Sequence, residues 1–222
     1  MADIKSHKRV NDILLGPLER PTLKWLATHM PSWMNPDIMT GIGVFGAILI
    51  FVSYWLANYD RNFLWLSSLG FVVNWFGDSL DGNLARVRKT ERPKYGFFID
   101  HTIDALTEVL IFLGIGISPY IRFDVAAMAL IAYLLMSVMV YVRTCVVGEF
   151  RLSYGRLGPT ELRAMMMIVN TILFFFGNPV LRLPFGAVAI FDLLVAVVAG
   201  LLFAIYINQI IRQGKELSRL GE

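Results

Sequence analysis

The sequence predicts an all-α integral membrane protein with six transmembrane helices and an N-terminal interfacial amphipathic helix. Hydrophobic residues make up 56% of the 222 residues, aromatic residues make up 13%, and the mean hydropathy is +0.60. Soluble domains of this size rarely reach such values, because their surface must be largely polar. Apolar runs near the ~20 residues that span a bilayer occur six times. They lie at roughly 37 to 57, 63 to 82, 97 to 118, 123 to 147, 161 to 177 and 186 to 211.

The segment before the first run, residues 1–36, mixes basic residues with apolar residues at roughly helical spacing, among them Leu18, Leu23, Trp25 and Leu26. A helix lying on anionic head groups needs this pattern. An amphipathic helix packed on the protein would show the same one. The segment has no apolar core followed by a small-residue cleavage site, so we expect no removable signal peptide.

We expect a single domain over residues 1–222, because no fixed-period repeat and no low-complexity linker divides the chain. Residues 1–36 would form a cytoplasmic interfacial segment, 37–211 the six-helix bundle and 212–222 a cytoplasmic tail. The single cysteine, Cys145, lies in an apolar run. An intrachain disulfide and a cysteine-based metal site are therefore excluded, and any metal must use oxygen or imidazole ligands.

Basic residues are unevenly distributed between the two sides of the predicted bundle. They precede the first run, follow the second, surround the loop after the fourth and close the chain, whereas the opposite side holds only Arg61, Arg122 and Arg182. Cytoplasmic loops are enriched in lysine and arginine. The distribution therefore predicts a multi-pass protein of the cell membrane with both termini in the cytoplasm, and it agrees with an even number of spans.

Four aspartates lie in or beside the second and third runs: Asp78, Asp81, Asp100 and Asp104. Charged side chains near a membrane core cost roughly 2.5 to 3.5 kcal/mol each, so they are candidates for function. Spacings of three and four residues place each pair on one helical face. A short loop joins the two helices, so we expect them to be antiparallel neighbours whose carboxylate-bearing faces meet at the cytoplasmic end.

Carboxylates gathered in a partly desolvated pocket repel one another unless cations hold them ionised. A pair of divalent metal ions resolves this repulsion, and oxygen ligands favour Mg²⁺ or Mn²⁺. On the same face, Gly82 and Ala85 would leave space for a bulky ligand, and Arg86 would face a phosphate.

Two other interpretations of these aspartates stay open at this point. They could be helix-end residues paired with the nearby Arg86, Arg88 and Lys89. They could also belong to a transporter or channel that binds divalent cations in transit. That second interpretation predicts acidic residues spread over several helices near the midplane, whereas these cluster on two helices at one end.

The pattern Asp78-x2-Asp81-Gly82-x2-Ala85-Arg86-x9-Gly96-x3-Asp100-x3-Asp104 resembles the motif of the CDP-alcohol phosphatidyltransferase family, with all eight residues present. The predicted architecture and the stretch "NPDIMT" before the first span are also similar to that family. The resemblance implies that an acceptor hydroxyl attacks the phosphorus of a CDP-linked donor and releases CMP.

In family terms Asp78, Asp81 and Asp100 are metal ligands, and Asp104 is a ligand or the general base. Gly82, Ala85, Arg86 and Gly96 would hold the cytidine diphosphate. The resemblance further implies an acceptor that is an alcohol or a lipid, contact with membrane lipids, and a homodimer. No nucleic-acid partner is expected.

Two donor chemistries remain open, with CDP carrying either diacylglycerol or choline or ethanolamine. The stretch "FFIDHTID" resembles the Asp-His of cholinephosphotransferases and ethanolaminephosphotransferases, where that histidine, here His101, would be the base. The loop "GRLGPTELRA" is similar to the "GPTEG" of the same enzymes, which suggests Glu161 as a substrate-binding residue, although Leu162 replaces the second glycine. Arg143 near the end of the fourth span is a further candidate for binding an anionic substrate group.

Overall fold

The computed structural model describes residues 8–10, 14–147, 149–151, 158–183 and 186–219. Parts of the predicted interfacial segment (1–7 and 11–13), the first three residues of the "GRLGPTELRA" loop (155–157) and the last three residues of the predicted tail lie outside the described residues. The elements, in chain order, are β1 (Lys8–Val10), α1 (Gly16–His29), α2 (Pro36–Leu56), α3 (Phe63–Arg88), α4 (Pro93–Ile117), α5 (Phe123–Val147), β2 (Glu149–Arg151), α6 (Pro159–Phe176), β3 (Val180–Leu183), β4 (Gly186–Ala189) and α7 (Ile190–Arg219).

All six predicted apolar runs form helices, α2 to α7. Local signals explain several of their ends. Asn35 caps α2, its Oδ1 accepting from the Ile38 N–H at 2.8 Å, and a proline occupies the first position of α2, α4 and α6. Lys89 stops α3 by adopting the left-handed conformation (φ 57°).

Among the described residues, four helices are long and apolar enough to cross a membrane by length and composition: Pro36–Leu56, Phe123–Val146, Pro159–Phe176 and Ile190–Arg219. Many large apolar side chains on the outer surface are exposed, for example Phe45, Phe175 and Leu201. Exposed apolar surface of this extent is typical of a protein surrounded by lipid. The chain is therefore an all-α membrane protein. The other two long helices, α3 and α4, carry the four aspartates.

Glycines bring α2 and α3 into backbone contact. A Cβ added to Gly77 would lie 2.2 Å from the backbone nitrogen of Gly43, and one added to Gly46 would lie 2.4 Å from that of Asn74. Such small residues allow membrane helices to approach closely. This contact sets the depth of Asp78, which follows Gly77 directly, relative to α2.

The carboxylate-bearing faces of α3 and α4 meet around a cavity, as predicted, but the backbones of the two helices are not in close contact. Both helices pack against α2, and between these two fully described helices there is little direct contact. The carboxylate-bearing faces are thus separated by a cavity. Repulsion between the carboxylates opposes tight packing of these faces, whereas the small residues of α2 allow each helix to pack there instead.

The N-terminal amphipathic helix α1 packs against the bundle, which is one of the two interpretations that its pattern allowed. Leu23 and Ala27 of α1 are buried in a cluster with Leu80 and Leu84 of α3. On its other side α1 exposes large apolar residues, among them Leu18 and Trp25. One face of α1 is therefore packed on the bundle, and the other exposes apolar side chains.

Four short strands within the described ranges depart from the all-helical prediction. β1 and β2 pair in parallel, and β3 and β4 pair antiparallel with Val180 opposite Ala189. The sixth run was expected to become helical at 186, but α7 begins at Ile190. Gly186 has a positive φ of 137°, which favours a turn over a helix at that point.

A buried polar cluster stabilises the end of the bundle away from the aspartates. Asn170 of α6 accepts from Tyr54 Oη at 2.7 Å and donates to Ser67 and Ser68 of α3 at 3.3 and 3.2 Å. Each of these groups is buried. The cluster joins three helices by satisfied hydrogen bonds in an apolar region.

Candidate active site

The two aspartates of α3 are each held by a side chain from another helix. Asp81 Oδ2 accepts from Thr40 Oγ1 of α2 at 2.9 Å. Asp78 Oδ2 accepts from Arg163 Nη2 of α6 at 2.7 Å. The Arg163 side chain is only 13% exposed and that of Asp78 25%. This charge-assisted contact is therefore largely shielded from water.

The two aspartates of α4 both lie near the same ring nitrogen of a histidine. His101 Nδ1 is 3.6 Å from Asp100 Oδ2 and 3.9 Å from Asp104 Oδ2. One donor atom from each of these three residues lies within 4.8 Å of the others. The arrangement offers two carboxylates and an imidazole to a single ion or proton.

Aromatic rings fix the orientation of His101. Its ring packs edge-on against Phe97 with centroids 4.2 Å apart, and Tyr141 of α5 lies at 5.2 Å. The His101 side chain is 10% exposed. The His101 ring is therefore largely shielded from solvent.

One cavity of about 640 Å³ collects most of the predicted site. The predicted site residues that line it are Asp78, Asp81, Gly82, Ala85, Arg86, Gly96, Asp100, His101 and Asp104. All eight residues of the motif are in this set. Residues from α1, α2 and α6 complete the wall, among them Glu19, Thr40 and Arg163. The volume is in the range of pockets that bind small molecules and cofactors.

The two motif glycines border open space. A Cβ on Gly96 would meet no atom within 4 Å, and one on Gly82 would approach only the Arg86 guanidinium, at 3.8 Å. Neither glycine is therefore required for helix packing, unlike Gly77. Their small size widens the cavity where α3 and α4 border it.

Arg86 is an exposed arginine at the cavity wall. Its Nη2 donates to Asn83 Oδ1 one turn earlier, at 3.0 Å. At the rim, Arg92 pairs with Asp37 and lies over the Tyr95 ring at 4.1 Å. Arginine donors at a cavity mouth suit phosphate oxygens.

Glu161 and Arg143 are the predicted site residues that the fold does not bring to the cavity. Glu161 is buried, and its two oxygens accept from the backbone N–H groups of Leu15 (2.8 Å) and Gly158 (2.9 Å). It thus joins the start of α1 to the start of α6. Arg143 lies on α5, and it is not among the residues that line the cavity.

The side chains from other helices that bind Asp81 and Asp78 could not be identified from residue spacing within one apolar run. Thr40 is 41 residues from Asp81, and Arg163 is 85 residues from Asp78. Glu19 was also missed. Its Oε1 accepts from Trp75 Nε1 at 2.8 Å and Thr160 Oγ1 at 2.7 Å, which holds α1 against α3 and α6. The only sequence signal for Thr40 is its position in "NPDIMT".

The donor set fits a divalent cation. Four carboxylates and one imidazole converge with a single buried cation, Arg163, among the described residues beside them. Oxygen-rich sites suit Mg²⁺ and Mn²⁺, and an imidazole is tolerated by Mn²⁺. The residues that would hold such ions are Asp78, Asp81, Asp100 and Asp104. His101 lies close enough to Asp100 and Asp104 to share an ion with them.

Comparison with known proteins places this site in a family. The profile of the CDP-alcohol phosphatidyltransferase family matches residues 33–206. The chain is 33% identical over 84 residues to a phosphatidylinositol phosphate synthase of Cutibacterium acnes, covering 38% of each chain. It is 33% identical over 104 residues to an archaetidylinositol phosphate synthase of Pyrococcus horikoshii, covering 47% of this chain and 52% of that protein.

A eukaryotic relative matches over a longer stretch. Cholinephosphotransferase 1 of Mus musculus is 27% identical over 212 residues, covering 88% of this chain. The chain spans 38% to 52% of the length of these three relatives. The profile covers most of the chain, including α2 to α6 and every motif residue in the cavity. The chain belongs to the CDP-alcohol phosphatidyltransferase family.

Proposed function

We propose that the protein is a metal-dependent phosphotransferase of phospholipid synthesis. It transfers a substituted phosphate from a CDP-linked donor to an acceptor hydroxyl and releases CMP. The observation that carries this proposal is the single cavity in which all eight motif residues lie beside His101 and Arg163. Family membership supplies the reaction class, and the cavity supplies a place for its reactants.

The four aspartates are the proposed ligands of two Mg²⁺ or Mn²⁺ ions. When bound, such ions neutralise the pyrophosphate and stabilise the charge on the leaving CMP. The chain prepares the site by holding Asp81 through Thr40 and Asp78 through Arg163. Pre-oriented ligands lower the cost of ordering the site when the donor arrives.

The nucleotide is proposed to lie where α3 and α4 border the cavity. Gly82 and Gly96 leave room for the cytidine and its phosphates, because a side chain at either position would occupy open cavity space. Ala85, which also lines the cavity, has a small side chain and leaves space there as well. Arg86, exposed at the mouth, offers its guanidinium to a phosphate.

The reaction forms one bond and breaks one. The oxygen of the acceptor hydroxyl attacks the donor phosphorus, and the bond from phosphorus to the CMP oxygen breaks with its electron pair leaving on CMP. The hydroxyl proton passes to a side chain of the chain. Asp104 and His101 both line the cavity, and either can accept that proton.

The donor is proposed to be CDP-diacylglycerol or a CDP-amine alcohol such as CDP-choline or CDP-ethanolamine. The printed names of the relatives divide between inositol phosphate synthases and cholinephosphotransferases. The inward position of His101 supports the second group, because the resemblance of "FFIDHTID" to those enzymes depends on a histidine that reaches the reacting atoms. Glu161, bound to backbone groups, gives no such support.

We further propose that α3 and α4 span the membrane, giving six spans in one domain. Both helices exceed the length of a bilayer crossing, with 26 and 25 residues. Both termini and the active site would face the cytoplasm, where basic residues flank the helices. The exposed apolar face of α1 would lie on the membrane surface, and two copies would form a homodimer.

The proposal is tested with the purified full-length chain in lipid nanodiscs. CDP-diacylglycerol, CDP-choline and CDP-ethanolamine are each combined with glycerol phosphate, inositol phosphate, serine and diacylglycerol, and CMP release is measured with Mg²⁺, with Mn²⁺ and with EDTA. We expect metal-dependent CMP release from one donor class. If no donor released CMP, the proposed transferase activity would be refuted and cation transport would remain as the alternative. Uptake of Mn²⁺ into proteoliposomes would then test for transport.

A further inference from the structure

Asn74 is a buried amide next to the proposed metal ligands, one turn before Asp78 on α3. Its side chain is 1% exposed. Its Nδ2 donates to the backbone oxygen of Gly43 on α2 at 2.9 Å. Its Oδ1 is buried and has no hydrogen-bond partner within the part of the chain that the structure describes. Buried polar atoms without a partner are rare and need an explanation.

The orientation of the amide is determined by its neighbour. If the amide were turned over, Oδ1 would face the Gly43 carbonyl, and two acceptors would be in contact. Nδ2 is therefore the atom that contacts the Gly43 carbonyl, and Oδ1 points away from Gly43. Helix packing explains Nδ2, since α2 and α3 are closest here, but it does not explain Oδ1.

A small cavity adjoins this residue. It has a volume of about 10 Å³, and its wall includes Asn74 and all four aspartates of the proposed metal site. A space of this size is just sufficient for one water molecule. We call it the inner cavity. It lies between α2, α3 and α4, whose residues line it.

We propose that Asn74 Oδ1 accepts a hydrogen bond from a water molecule in the inner cavity, and that this water is a ligand of the divalent cation held by the aspartates. This inference rests on the proposed function. A water that donates to Asn74 presents its oxygen lone pairs to the other side of the cavity, where the carboxylates collect the cation. Asn74 is thus a positioning residue that acts on the metal through one water.

The chemistry of the amide suits this role. Four carboxylates already match the charge of the two proposed divalent cations, and a fifth carboxylate would add repulsion that these ions do not offset. A neutral carbonyl oxygen adds an acceptor without adding charge. Mg²⁺ and Mn²⁺ sites commonly retain water ligands, because Mg²⁺ dehydrates reluctantly, and residues that orient metal ligands from outside affect metal affinity strongly.

The test measures Mn²⁺ binding to the purified chain without nucleotide, by calorimetry and by electron paramagnetic resonance. Asn74→Leu keeps the approximate volume and removes the acceptor. We expect Mn²⁺ affinity to fall about 10- to 100-fold. We also expect water-proton relaxation to report fewer waters on the bound Mn²⁺.

Asn170→Leu is the matched control, because Asn170 is equally buried but satisfied by Tyr54, Ser67 and Ser68. It should lower thermal stability and leave Mn²⁺ affinity unchanged. An Asn74→Leu protein with the affinity of the parent chain would overturn the inference. If that variant does not fold, the same Mn²⁺ affinity measurement is made on Asn74→Ala, which removes the acceptor oxygen without introducing new side-chain atoms. Failure of the parent chain to bind Mn²⁺ would instead refute the proposed function.

Discussion

Arg163 on α6 donates to Asp78 on α3 across 2.7 Å, with both side chains largely buried. The arginine places a fixed positive charge among the carboxylates of the cavity. Removing one partner of such a pair leaves the other charge buried and uncompensated. The resulting loss of folding free energy is larger than the net stabilisation that the intact pair provides.

We therefore expect Arg163→Met to destabilise the chain by about 3 kcal/mol, measured by thermal or denaturant unfolding in EDTA. Adding Mg²⁺ should restore part of this stability, because the freed carboxylate gains a cation. Arg122→Gln is the control: it removes the Arg122–Asp124 pair, whose side chains are 68% and 63% exposed. Exposed pairs contribute little, so its unfolding should be unchanged. Equal effects of both variants would contradict the role given to Arg163.

Asp100→Asn should abolish turnover while the protein remains folded. The substitution keeps the shape of the side chain and removes the charge that a divalent cation requires. CMP release and the unfolding temperature are measured on the same preparation. Asp124→Asn, an exposed aspartate at the start of α5, serves as the control and should retain activity. Metal-dependent CMP release by Asp100→Asn would refute the metal role of this carboxylate.

Measuring the Mn²⁺ affinity of variants distinguishes the two candidates for the general base, Asp104 and His101. Asp104→Asn should lower both Mn²⁺ affinity and turnover, since a carboxylate lost from the cluster weakens the cation site. His101→Gln should keep Mn²⁺ affinity and lower kcat by about 100-fold, the usual contribution of a proton acceptor. A strong loss of Mn²⁺ affinity in His101→Gln would instead identify the imidazole as a metal ligand, which its position within 4.8 Å of both carboxylates permits.

Gly96→Leu should weaken donor binding without weakening the fold. The new side chain enters open cavity space, so we expect the KM for the CDP donor to rise about tenfold, which corresponds to about 1.4 kcal/mol. Gly200→Leu on α7 also meets no atom within 4 Å and should change neither quantity. Gly77→Ala, where a Cβ would lie 2.2 Å from Gly43, should unfold the chain instead. A normal KM in Gly96→Leu would exclude this wall as the nucleotide site.

Glu161→Gln should act on stability and leave substrate binding unchanged. One of the two backbone N–H groups that Glu161 accepts from would lose its acceptor, since an amide has a single oxygen. A lost buried hydrogen bond of this kind costs about 1 to 3 kcal/mol. The unfolding temperature should fall while the KM for the CDP donor stays constant at temperatures below unfolding. A rise in KM with normal stability would restore Glu161 as a substrate-binding residue.

Much of this architecture can be predicted from local patterns. Run length and apolar content predicted all six long helices, because a bilayer-spanning segment has a required length and composition. Spacings of three and four residues placed Asp78 with Asp81, and Asp100 with Asp104, because the period of the α-helix is a property of the backbone. The same periodicity could not show that α3 and α4 pack on α2, since that depends on which faces carry small residues in three helices at once.

The amino-acid sequence alone determined the helices, the carboxylates they carry and the motif that identifies the family. Only the tertiary structure decided that His101 turns inward, that Glu161 binds backbone groups, and that Thr40, Arg163 and Asn74 surround the aspartates. The physical reason is that position on a helix follows from a local repeat, whereas contacts between residues 41 or 85 positions apart follow from how closely the helices can approach. At Gly43 and Gly77 that approach is limited only by backbone atoms, and it sets the depth of Asp78 relative to α2.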